Sequence, residues 1–441
     1  MKDLYENAPQ DRPELAVLVG LKVKETREED FRLSMKEMVS LAEAVNVEVV
    51  SSFEQNLPAP ISATYIGSGK IEEIRAYIEM KHIDLVLVND SISPKQQKNL
   101  SDDLGGAEVM DRTGLILSIF SERARTREAT LQVEYAKLSY MLPRLQGMHR
   151  ELGRQGGASG AMSNKGAGEK KIELDRRRIE HRMGELHREL DAVSLERETQ
   201  RKKRMSSGMR RVSLVGYTNA GKSTIMNGLL GLYGSDEDKQ VLEKDMLFAT
   251  LDTTVRKIDP GKSDLPFLLS DTVGFISNLP TSLIKSFRST LEEASYADLL
   301  LIVADLSNPD YREDLRVTLD TLKDIGAGEI PRLFIFNKKD LAAGAHTDTI
   351  SVPGMTASDG RITISAKDPA DLARLVAAIE QKLSENSHDC RLLVPYTDGA
   401  SLDALIRLCR CEVVDYTADG SLVKGKLGEE DYQRYQKYLA E

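Results

Sequence analysis

Residues 1–120 alternate between short apolar runs and longer stretches in which apolar residues recur every three or four positions. Apolar runs bounded by polar turns predict buried strands, whereas the three-to-four spacing predicts helices. Strands that alternate with helices in this way are typical of a small parallel α/β domain. The predicted strands are Leu15–Leu21, Val47–Val50, Asp84–Asn89 and Ala107–Met110, and the predicted helices are Phe31–Ala44, Gly69–Lys81 and one that begins at Ser93.

Residues 121–209 show the pattern of a helical hairpin. A polar helix is predicted over residues 121–142 and a longer one over residues 169–204. The seven-residue spacing of apolar positions in the second helix is that of a coiled coil, so we predict antiparallel pairing of the two helices. The alternative is that a helix lies on the face of a domain. The predicted seam residues are Leu131, Tyr135, Leu138, Leu142, Ile172, Ile179, Met183, Leu186, Leu190 and Val193.

Between the two helices, residues 143–171 form a glycine-rich loop in which cations outnumber anions. Glycine permits close backbone approach, and lysine and arginine displace phosphate counterions, so the loop is suited to folded RNA. The alternative is a solvated linker that binds nothing, because a charge run is usually only a solvated surface. The cations are Arg144, Arg150, Arg154, Lys165, Lys170 and Lys171.

The rest of the chain predicts a second α/β domain over residues 210–385 and a small α+β domain over residues 386–441. In the first of these, Leu299–Asp305 is a central strand that is apolar along most of its length, as a sheet covered on both faces requires. Its predicted helices are Thr281–Glu293, Tyr311–Ile325 and Ala370–Leu383. In the last domain the predicted elements are a strand over Arg391–Val394, a helix over Ser401–Cys409, a hairpin of Glu412–Tyr416 with Leu422–Gly425 across Asp419–Gly420, and a closing polar helix.

Composition narrows the class of protein. The chain has 441 residues, 41% of them hydrophobic, and no long apolar run, so we expect a soluble cytoplasmic protein without a membrane span. We also expect a monomer. The formal net charge of −10 argues against wholesale coating of nucleic acid, so RNA contact would need a local basic feature. The three cysteines, Cys390, Cys409 and Cys411, form no metal-binding pattern and predict buried free thiols.

A strand over Val212–Val215 runs directly into the pattern G-x-x-x-x-G-K-S and then into a predicted helix. Glycine at both ends of this loop lets backbone N–H groups turn inward, and the helix N-terminus adds its positive dipole end. Lys222 would reach the outer phosphates, and the Ser223 hydroxyl would bind Mg²⁺. The alternative is a glycine-rich turn that fits the pattern by chance. The predicted phosphate-binding residues are Gly216, Tyr217, Thr218, Asn219, Ala220, Gly221, Lys222, Ser223 and Thr224.

Two further segments predict contacts to the phosphates and to the purine. The pattern D-x-x-G begins at Asp271, which can hold Mg²⁺ through water, and its Gly274 N–H can meet a γ-phosphate. The pattern N-K-x-D ends at Asp340, which can accept hydrogen bonds from the N1–H and 2-amino group of guanine. Adenine lacks both donors, and an unpaired buried carboxylate costs ~1–3 kcal/mol or more. The assigned residues are Asp271, Thr272, Val273, Gly274, Phe275, Asn337, Lys338 and Asp340.

Two other segments complete the predicted site. Ser365, Ala366 and Lys367 follow a short strand, and their backbone can meet the guanine O6. The segment Phe248, Ala249, Thr250, Leu251 and Asp252 precedes D-x-x-G, where a switch threonine closes on Mg²⁺. We assign Thr250 to that role, with Thr253 and Thr254 as alternatives, and take Lys222, Thr250 and Gly274 as catalytic. Because open α/β sheets bind ligands at the carboxyl ends of their strands, these motifs in this order predict a GTPase that binds GTP, GDP and Mg²⁺.

With these motifs the chain resembles the HflX family, bacterial translational GTPases of the Obg-like group. The resemblance rests on Gly216–Ser223, Phe248–Asp252 and Asp271–Phe275, and on Leu142–Leu145 and Leu174–Ile179 in the hairpin. It implies a family-specific N-terminal domain, a helical linker, a GTPase domain and a C-terminal domain. It also implies binding to the large ribosomal subunit and splitting of stalled or idle 70S ribosomes. We therefore expect loop 143–171 to contact ribosomal RNA. The chain departs from the family's usual glycine- and proline-containing stretch at residues 163–169.

Two residues predict an unusual hydrolytic mechanism. Phe275 stands where many GTPases place the glutamine that orients the attacking water, so intrinsic hydrolysis should be slow and the ribosome should complete the site. Asn219 resembles the ligand for an activating K⁺ ion in related GTPases, and the alternative is that it braces the loop.

Three other functions remain open. An assembly factor for the large subunit would bind precursor particles, and a nucleotide-gated scaffold would recruit proteins through its coiled coil. An ATP-driven RNA remodeller would need a second nucleotide site, but Gly67–Lys70 lacks the spacing of a phosphate loop and predicts a turn.

Overall fold

The structure is a computed structural model that describes residues 13–145, 163–206, 209–234, 254–261, 266–272, 274–277, 293–342, 354–356, 359–385, 387–407, 409 and 411–440. The chain divides into two compact units. The N-terminal sheet and the helical hairpin as far as Val193 belong to the first unit, and the end of the hairpin with the nucleotide-binding and C-terminal sheets belongs to the second. Because the units do not follow the four predicted segments, the boundaries at residues 120, 209 and 385 stay predictions.

The first unit contains a parallel four-stranded sheet with strand order β2-β1-β3-β4. Its central strands are apolar on both faces and fully buried, as helices on either side of a parallel sheet require. This confirms the predicted α/β fold. The strands are β1 (Glu14–Lys22), β2 (Val47–Asn56), β3 (Leu85–Val88) and β4 (Glu108–Asp111), and the helices are α1 (Glu28–Glu43), α2 (Ser68–Lys81), α3 (Pro94–Asp103) and α4 (Arg112–Arg123).

Local sequence signals explain where several of these helices begin. Ser93 caps α3 in a reciprocal capping box with Gln96, followed by Pro94 at the first helical position. Asp111 caps α4 by accepting a hydrogen bond from the Gly114 N–H at 2.8 Å. The predicted first hairpin helix, residues 121–142, was wrong at its start, because its first three residues end α4 and a separate helix begins at Arg127. Gly67–Lys70 lies at the start of α2, where Lys70 pairs with Glu73 at 2.7 Å.

The hairpin consists of α5 (Arg127–Met141) and α6 (Ser163–Ser206), which pair antiparallel as predicted. Glu134 accepts a hydrogen bond from Arg182 at 2.8 Å, and the Arg127 guanidinium lies 3.5 Å from the Glu189 carboxylate. The earlier residue of α5 thus pairs with the later residue of α6, as in an antiparallel pair. Leu186 is fully buried in the seam. The predicted start of the second helix at residue 169 was wrong, because α6 begins at Ser163 and takes in part of the glycine-rich stretch. Residues 146–162 lie outside the described part of the chain.

Arg144, counted above among the cations of the glycine-rich loop, is an internal anchor. Its guanidinium binds the buried Asp111 carboxylate at 3.0 Å and donates to the Ile92 carbonyl at 3.0 Å and to Gln97 at 2.8 Å. It also stacks over the Tyr140 ring at 3.5 Å, and the Tyr140 hydroxyl donates to Asp111 at 2.7 Å. The Arg144 side chain therefore holds the end of α5 against the sheet. The charge pattern of the sequence alone does not predict this role.

The second unit contains a six-stranded sheet of order β10-β9-β8-β5-β7-β6, parallel except for the antiparallel edge pair β6–β7. Central β8 spans the predicted Leu299–Asp305. The predicted helix Thr281–Glu293 lies almost entirely outside the described residues. The strands are β5 (Arg210–Gly216), β6 (Thr254–Ile258), β7 (Phe267–Asp271), β8 (Leu299–Asp305), β9 (Arg332–Asn337) and β10 (Gly360–Thr363). The helices are α7 (Lys222–Tyr233), a 3₁₀ turn (Glu293–Tyr296), α8 (Tyr311–Asp324) and α9 (Pro369–Ser384).

A three-stranded antiparallel sheet of order β11-β13-β12 closes the chain, with the predicted turn at Asp419–Gly420. All three cysteines are free, and burial raises the pKa of the Cys411 thiol to about 12, so it is a structural residue. Nowhere in the described ranges is there a helix with the length and apolarity to cross a bilayer. The elements are β11 (Ser387–Val394), α10 (Gly399–Arg407), β12 (Glu412–Tyr416), β13 (Ser421–Gly428), α11 (Glu429–Tyr435) and a 3₁₀ turn (Gln436–Tyr438).

Candidate nucleotide-binding site

The phosphate loop connects β5 to α7 at the carboxyl edge of the sheet. Gly216 has φ of 148° and packs so closely on β8 that an added Cβ would lie 2.3 Å from the Val303 carbonyl oxygen. Gly221, with φ of 94°, leaves no room for a Cβ beside the Asn337 amide. Asn219 adopts φ of 60°, which asparagine tolerates better than most residues, and is exposed. Two glycines and this asparagine thus give the loop the curvature that turns backbone N–H groups towards a phosphate.

Lys222, the first residue of α7, is buried inside this loop. Its ammonium group donates to the Gly216 carbonyl at 3.0 Å and the Tyr217 carbonyl at 2.8 Å. Burial lowers the pKa of Lys222 to about 8, and the nearby Asp271 carboxylate opposes that shift. A phosphate group would supply the negative charge that a buried ammonium requires.

The Ser223 hydroxyl and the end of β7 converge next to the loop. Ser223 Oγ donates to Asp271 Oδ2 at 2.8 Å, and Asp271 is fully buried. A hydroxyl and a carboxylate are the hard oxygen ligands that Mg²⁺ takes beside nucleotide phosphates, so these residues fit that ion. Thr272 has another role, because its hydroxyl donates to the Leu214 carbonyl at 2.8 Å and ties β7 to β5.

The segment after Asp271 lies directly against the phosphate loop. Phe275 donates its N–H to the Gly216 carbonyl at 3.1 Å and accepts from the Thr218 N–H at 2.9 Å. Its side chain is buried. Gly274 is in close contact, since an added Cβ would lie 2.8 Å from Thr218 Cα and 3.1 Å from the Lys222 ammonium.

Two loops form the predicted base-recognition surface and are joined by Asn337. The Asn337 amide nitrogen donates to the Ala220 carbonyl at 3.0 Å, and its oxygen accepts from the Ala366 N–H at 2.9 Å. Asp340 is exposed, and a hydrogen bond from the Ser365 hydroxyl lowers the pKa of its carboxyl. The structure thus brings the ends of β5, β9 and β10 together, as the order of the motifs predicts.

Three family models cover most of the chain. One described as "GTP-binding GTPase N-terminal" matches residues 32–121, "GTP-binding GTPase Middle Region" matches 123–204, and "50S ribosome-binding GTPase" matches 211–338. A GTPase HflX from Caldanaerobacter subterraneus subsp. tengcongensis is 39% identical over 99% of this chain and 96% of its own length. A GTPase HflX from Alkalihalophilus pseudofirmus is 43% identical over 89% of this chain and 88% of its own length.

The chain belongs to the HflX family of GTPases. The resemblance found from the motifs is confirmed, and the chain hydrolyses GTP. Among solved structures, a GTP-binding protein from Sulfolobus solfataricus in complex with GDP is 24% identical, with a TM-score of 0.42 over 84% of this chain and 99% of its own. Family membership depends on the sequence relatives, not on that likeness.

Part of the site predicted for this HflX-family chain lies outside the described residues. Phe248–Asp252, including Thr250, and Val273 are in that part, so their roles stay predictions. Sequence reasoning missed Asp305, which accepts from the Lys338 ammonium at 2.9 Å and from the Ser307 N–H at 2.9 Å. The sequence could have indicated Asp305 because it is the last residue of the central strand β8, and ligands of open α/β sheets bind at the carboxyl ends of the strands.

Proposed function

We propose that this chain binds the large ribosomal subunit and, in its GTP form, dissociates stalled or idle 70S ribosomes, with hydrolysis to GDP resetting the factor. The observation that carries the proposal is the match of residues 211–338 to the model described as "50S ribosome-binding GTPase". That match concerns the GTPase part of the chain, and the hairpin supplies a second, independent reason.

The hairpin has the stiffness that a probe of folded RNA needs. Ion pairs join α5 to α6, Glu134 with Arg182 and Arg127 with Glu189, and Arg144 fixes the end of α5 to the N-terminal sheet. The segment that follows, residues 146–162, carries Arg150 and Arg154 among several glycines. Cations on a glycine-rich segment can approach phosphates closely, so we assign ribosomal RNA contact to this narrower stretch of loop 143–171.

The proposed metal site consists of Ser223 as a direct ligand of Mg²⁺, Asp271 as a ligand through water, and Thr250 as the switch ligand. The bound ion would neutralise charge on the outer phosphates. For K⁺, the exposed position of Asn219 on the phosphate loop favours a ligand role over bracing. Equal hydrolysis rates in KCl and NaCl would remove the potassium proposal.

Hydrolysis should be slow in the free protein. The Phe275 side chain is buried, and aromatic carbon can neither donate nor accept the hydrogen bond that orients water. Positioning and charge stabilisation dominate phosphoryl transfer, and a group supplied in trans raises its rate by ~10³–10⁵. We assign that contribution to the ribosome, and 70S particles should therefore stimulate turnover.

A sedimentation experiment tests the proposal. Purified protein, 70S particles and a non-hydrolysable GTP analogue should yield separate subunits, whereas GDP should leave 70S intact. Lys222→Ala and Ser223→Ala should abolish splitting, because they remove the phosphate and metal contacts. Lys257→Ala is a matched control, since this lysine is half-exposed and pairs only with Asp259 among the described residues. Normal splitting by both site variants would refute nucleotide control.

Deleting residues 147–161 tests the RNA contact. This deletion spares the buried Leu145 and the start of α6 at Ser163. Ribosome affinity should fall and become less dependent on salt, because fewer counterions are released, while free nucleotide affinity stays unchanged.

A role in assembly of the large subunit is the second candidate, because a 50S-binding GTPase domain fits that role equally well. Co-sedimentation decides between them. An assembly factor binds precursor particles in preference to mature 70S and leaves 70S intact when it carries the GTP analogue.

A further inference from the structure

The helix α9 begins beside the predicted base-recognition loops and carries a buried carboxylate in its first turn. Asp368 caps the helix, Pro369 follows, and Asp371 is the third helical residue. The Asp371 side chain is only 4% exposed. A buried carboxylate is costly unless it is paired and hydrogen-bonded, so its partners indicate what it holds in place.

Three groups surround this carboxylate. Asp371 accepts a hydrogen bond from the Ser365 N–H at 2.7 Å and from Arg374 at 2.9 Å, and it forms an ion pair with the Lys339 ammonium. Burial alone would raise the pKa of Asp371, but the hydrogen bonds from Lys339 and Ser365 outweigh it and lower the pKa, so the group is ionised at neutral pH.

Two of these partners belong to the loops that we assign to guanine recognition. Lys339 lies between Asn337 and Asp340, and its own N–H donates to the Ile364 carbonyl at 3.2 Å. The Ser365 side chain lies close enough to Asp340 to lower the pKa of its carboxyl. Asp371 therefore fixes the backbone of Ser365, whose side chain neighbours the Asp340 carboxylate. The ion pair between Lys339 and Asp371 attaches the loop that carries Asn337 and Asp340 to the same carboxylate.

We propose that Asp371 is a positioning residue for guanine specificity, because it fixes Ser365 and Lys339 so that the Asp340 carboxylate and the backbone of residues 365–367 present one rigid surface to the base. The proposal rests on GTP binding by the isolated chain and is independent of any ribosomal function. Asp371 lies outside every motif from which the site was predicted, and its carboxylate is occupied by Ser365, Arg374 and Lys339.

Selectivity for the purine is the deciding readout. Inosine triphosphate lacks the 2-amino group of GTP, so the ratio of the two affinities measures how well Asp340 is placed. Asp371→Ala should lower the GTP-over-inosine triphosphate ratio by about tenfold, the value of one well-placed hydrogen bond to a charged group. Asp371→Asn should recover part of the ratio, because its amide oxygen still accepts from the Ser365 N–H.

Matched variants separate positioning from general stability. Asp368→Ala removes the side-chain cap of the same helix, its hydrogen bond from the Ala370 N–H at 2.9 Å, but keeps the backbone hydrogen bond from residue 368 to the Ser365 carbonyl, so the ratio should stay unchanged. Lys339→Met breaks the ion pair from a partly exposed side chain and should lower the ratio to a smaller extent. Should Asp371→Ala fail to fold, Lys339→Met decides. An unchanged ratio in the folded Asp371→Ala protein, or in Lys339→Met when the former does not fold, overturns the proposal.

Discussion

The substitution Arg144→Ala separates two roles for one cation, an internal anchor and an RNA contact. Arg144 is 15% exposed and its partner Asp111 is 1% exposed, so the ion pair is nearly shielded from water. The variant also leaves the Ile92 and Tyr140 carbonyls without a guanidinium donor. If Arg144 is an anchor, its loss should loosen α5 whether or not a ribosome is present.

The expected magnitude follows from what remains around Asp111. Breaking a buried ion pair by removing one partner costs about 3–5 kcal/mol. Asp111 keeps three donors, the Tyr140 hydroxyl at 2.7 Å, the Gly114 N–H at 2.8 Å and the Ile92 N–H at 3.1 Å. We therefore expect a cost at the lower end of that range, about 3 kcal/mol. At ~1.4 kcal/mol per tenfold, this corresponds to roughly a 100-fold rise in the equilibrium constant for local opening of α5.

Amide hydrogen exchange across α5 measures this opening directly, because local unfolding controls exchange of its backbone N–H groups. The matched control is Arg178→Ala on α6, where the arginine is 78% exposed and pairs with Asp175 at 3.4 Å. Surface pairs contribute about 0–1 kcal/mol, so exchange in the control should change only a few-fold. If Arg144→Ala leaves exchange in α5 unchanged but weakens ribosome binding, Arg144 contacts RNA and the anchor role is wrong.

Further predictions concern the nucleotide site. Asn337→Ala removes the partner of the buried Ala220 carbonyl and of the buried Ala366 N–H, at a cost of ~1–3 kcal/mol for each group. GTP affinity measured by calorimetry should therefore fall by about 10²-fold, and wild-type affinity would contradict the bridging role of Asn337. Gly221→Ala forces a Cβ to 2.2 Å from the Asn337 nitrogen at φ of 94°, and equilibrium binding should detect no nucleotide. Because burial lowers the pKa of Lys222 to about 8, the protein is stabilised as pH rises from about 8 towards the unfolded value near 10.5. GTP binding near pH 9 should therefore take up a proton, seen by calorimetry in buffers of different ionisation enthalpy and lost in Lys222→Met.

The sequence alone determined the class of fold and the chemistry of the nucleotide site. Phosphate loops require glycine at positions with positive φ, and Gly216 and Gly221 satisfy that requirement through local backbone geometry. Apolar runs such as Leu299–Asp305 predict buried strands because a covered parallel sheet admits little else. The heptad spacing in α6 likewise predicted the antiparallel hairpin.

Only the tertiary structure decided which charged residues form buried ion pairs and hydrogen bonds within the protein. Arg144 and Asp371 look like ordinary surface charges in the sequence, but each has partners distant along the chain: Asp111 for one, Lys339 for the other. The break between α4 and α5 was missed for a different reason, because it has a local signal: Thr126 caps α5 by accepting a hydrogen bond from the Ala129 N–H at 3.2 Å. Local patterns record which backbone shape a segment favours, whereas the partner of a charge depends on how distant segments fold together.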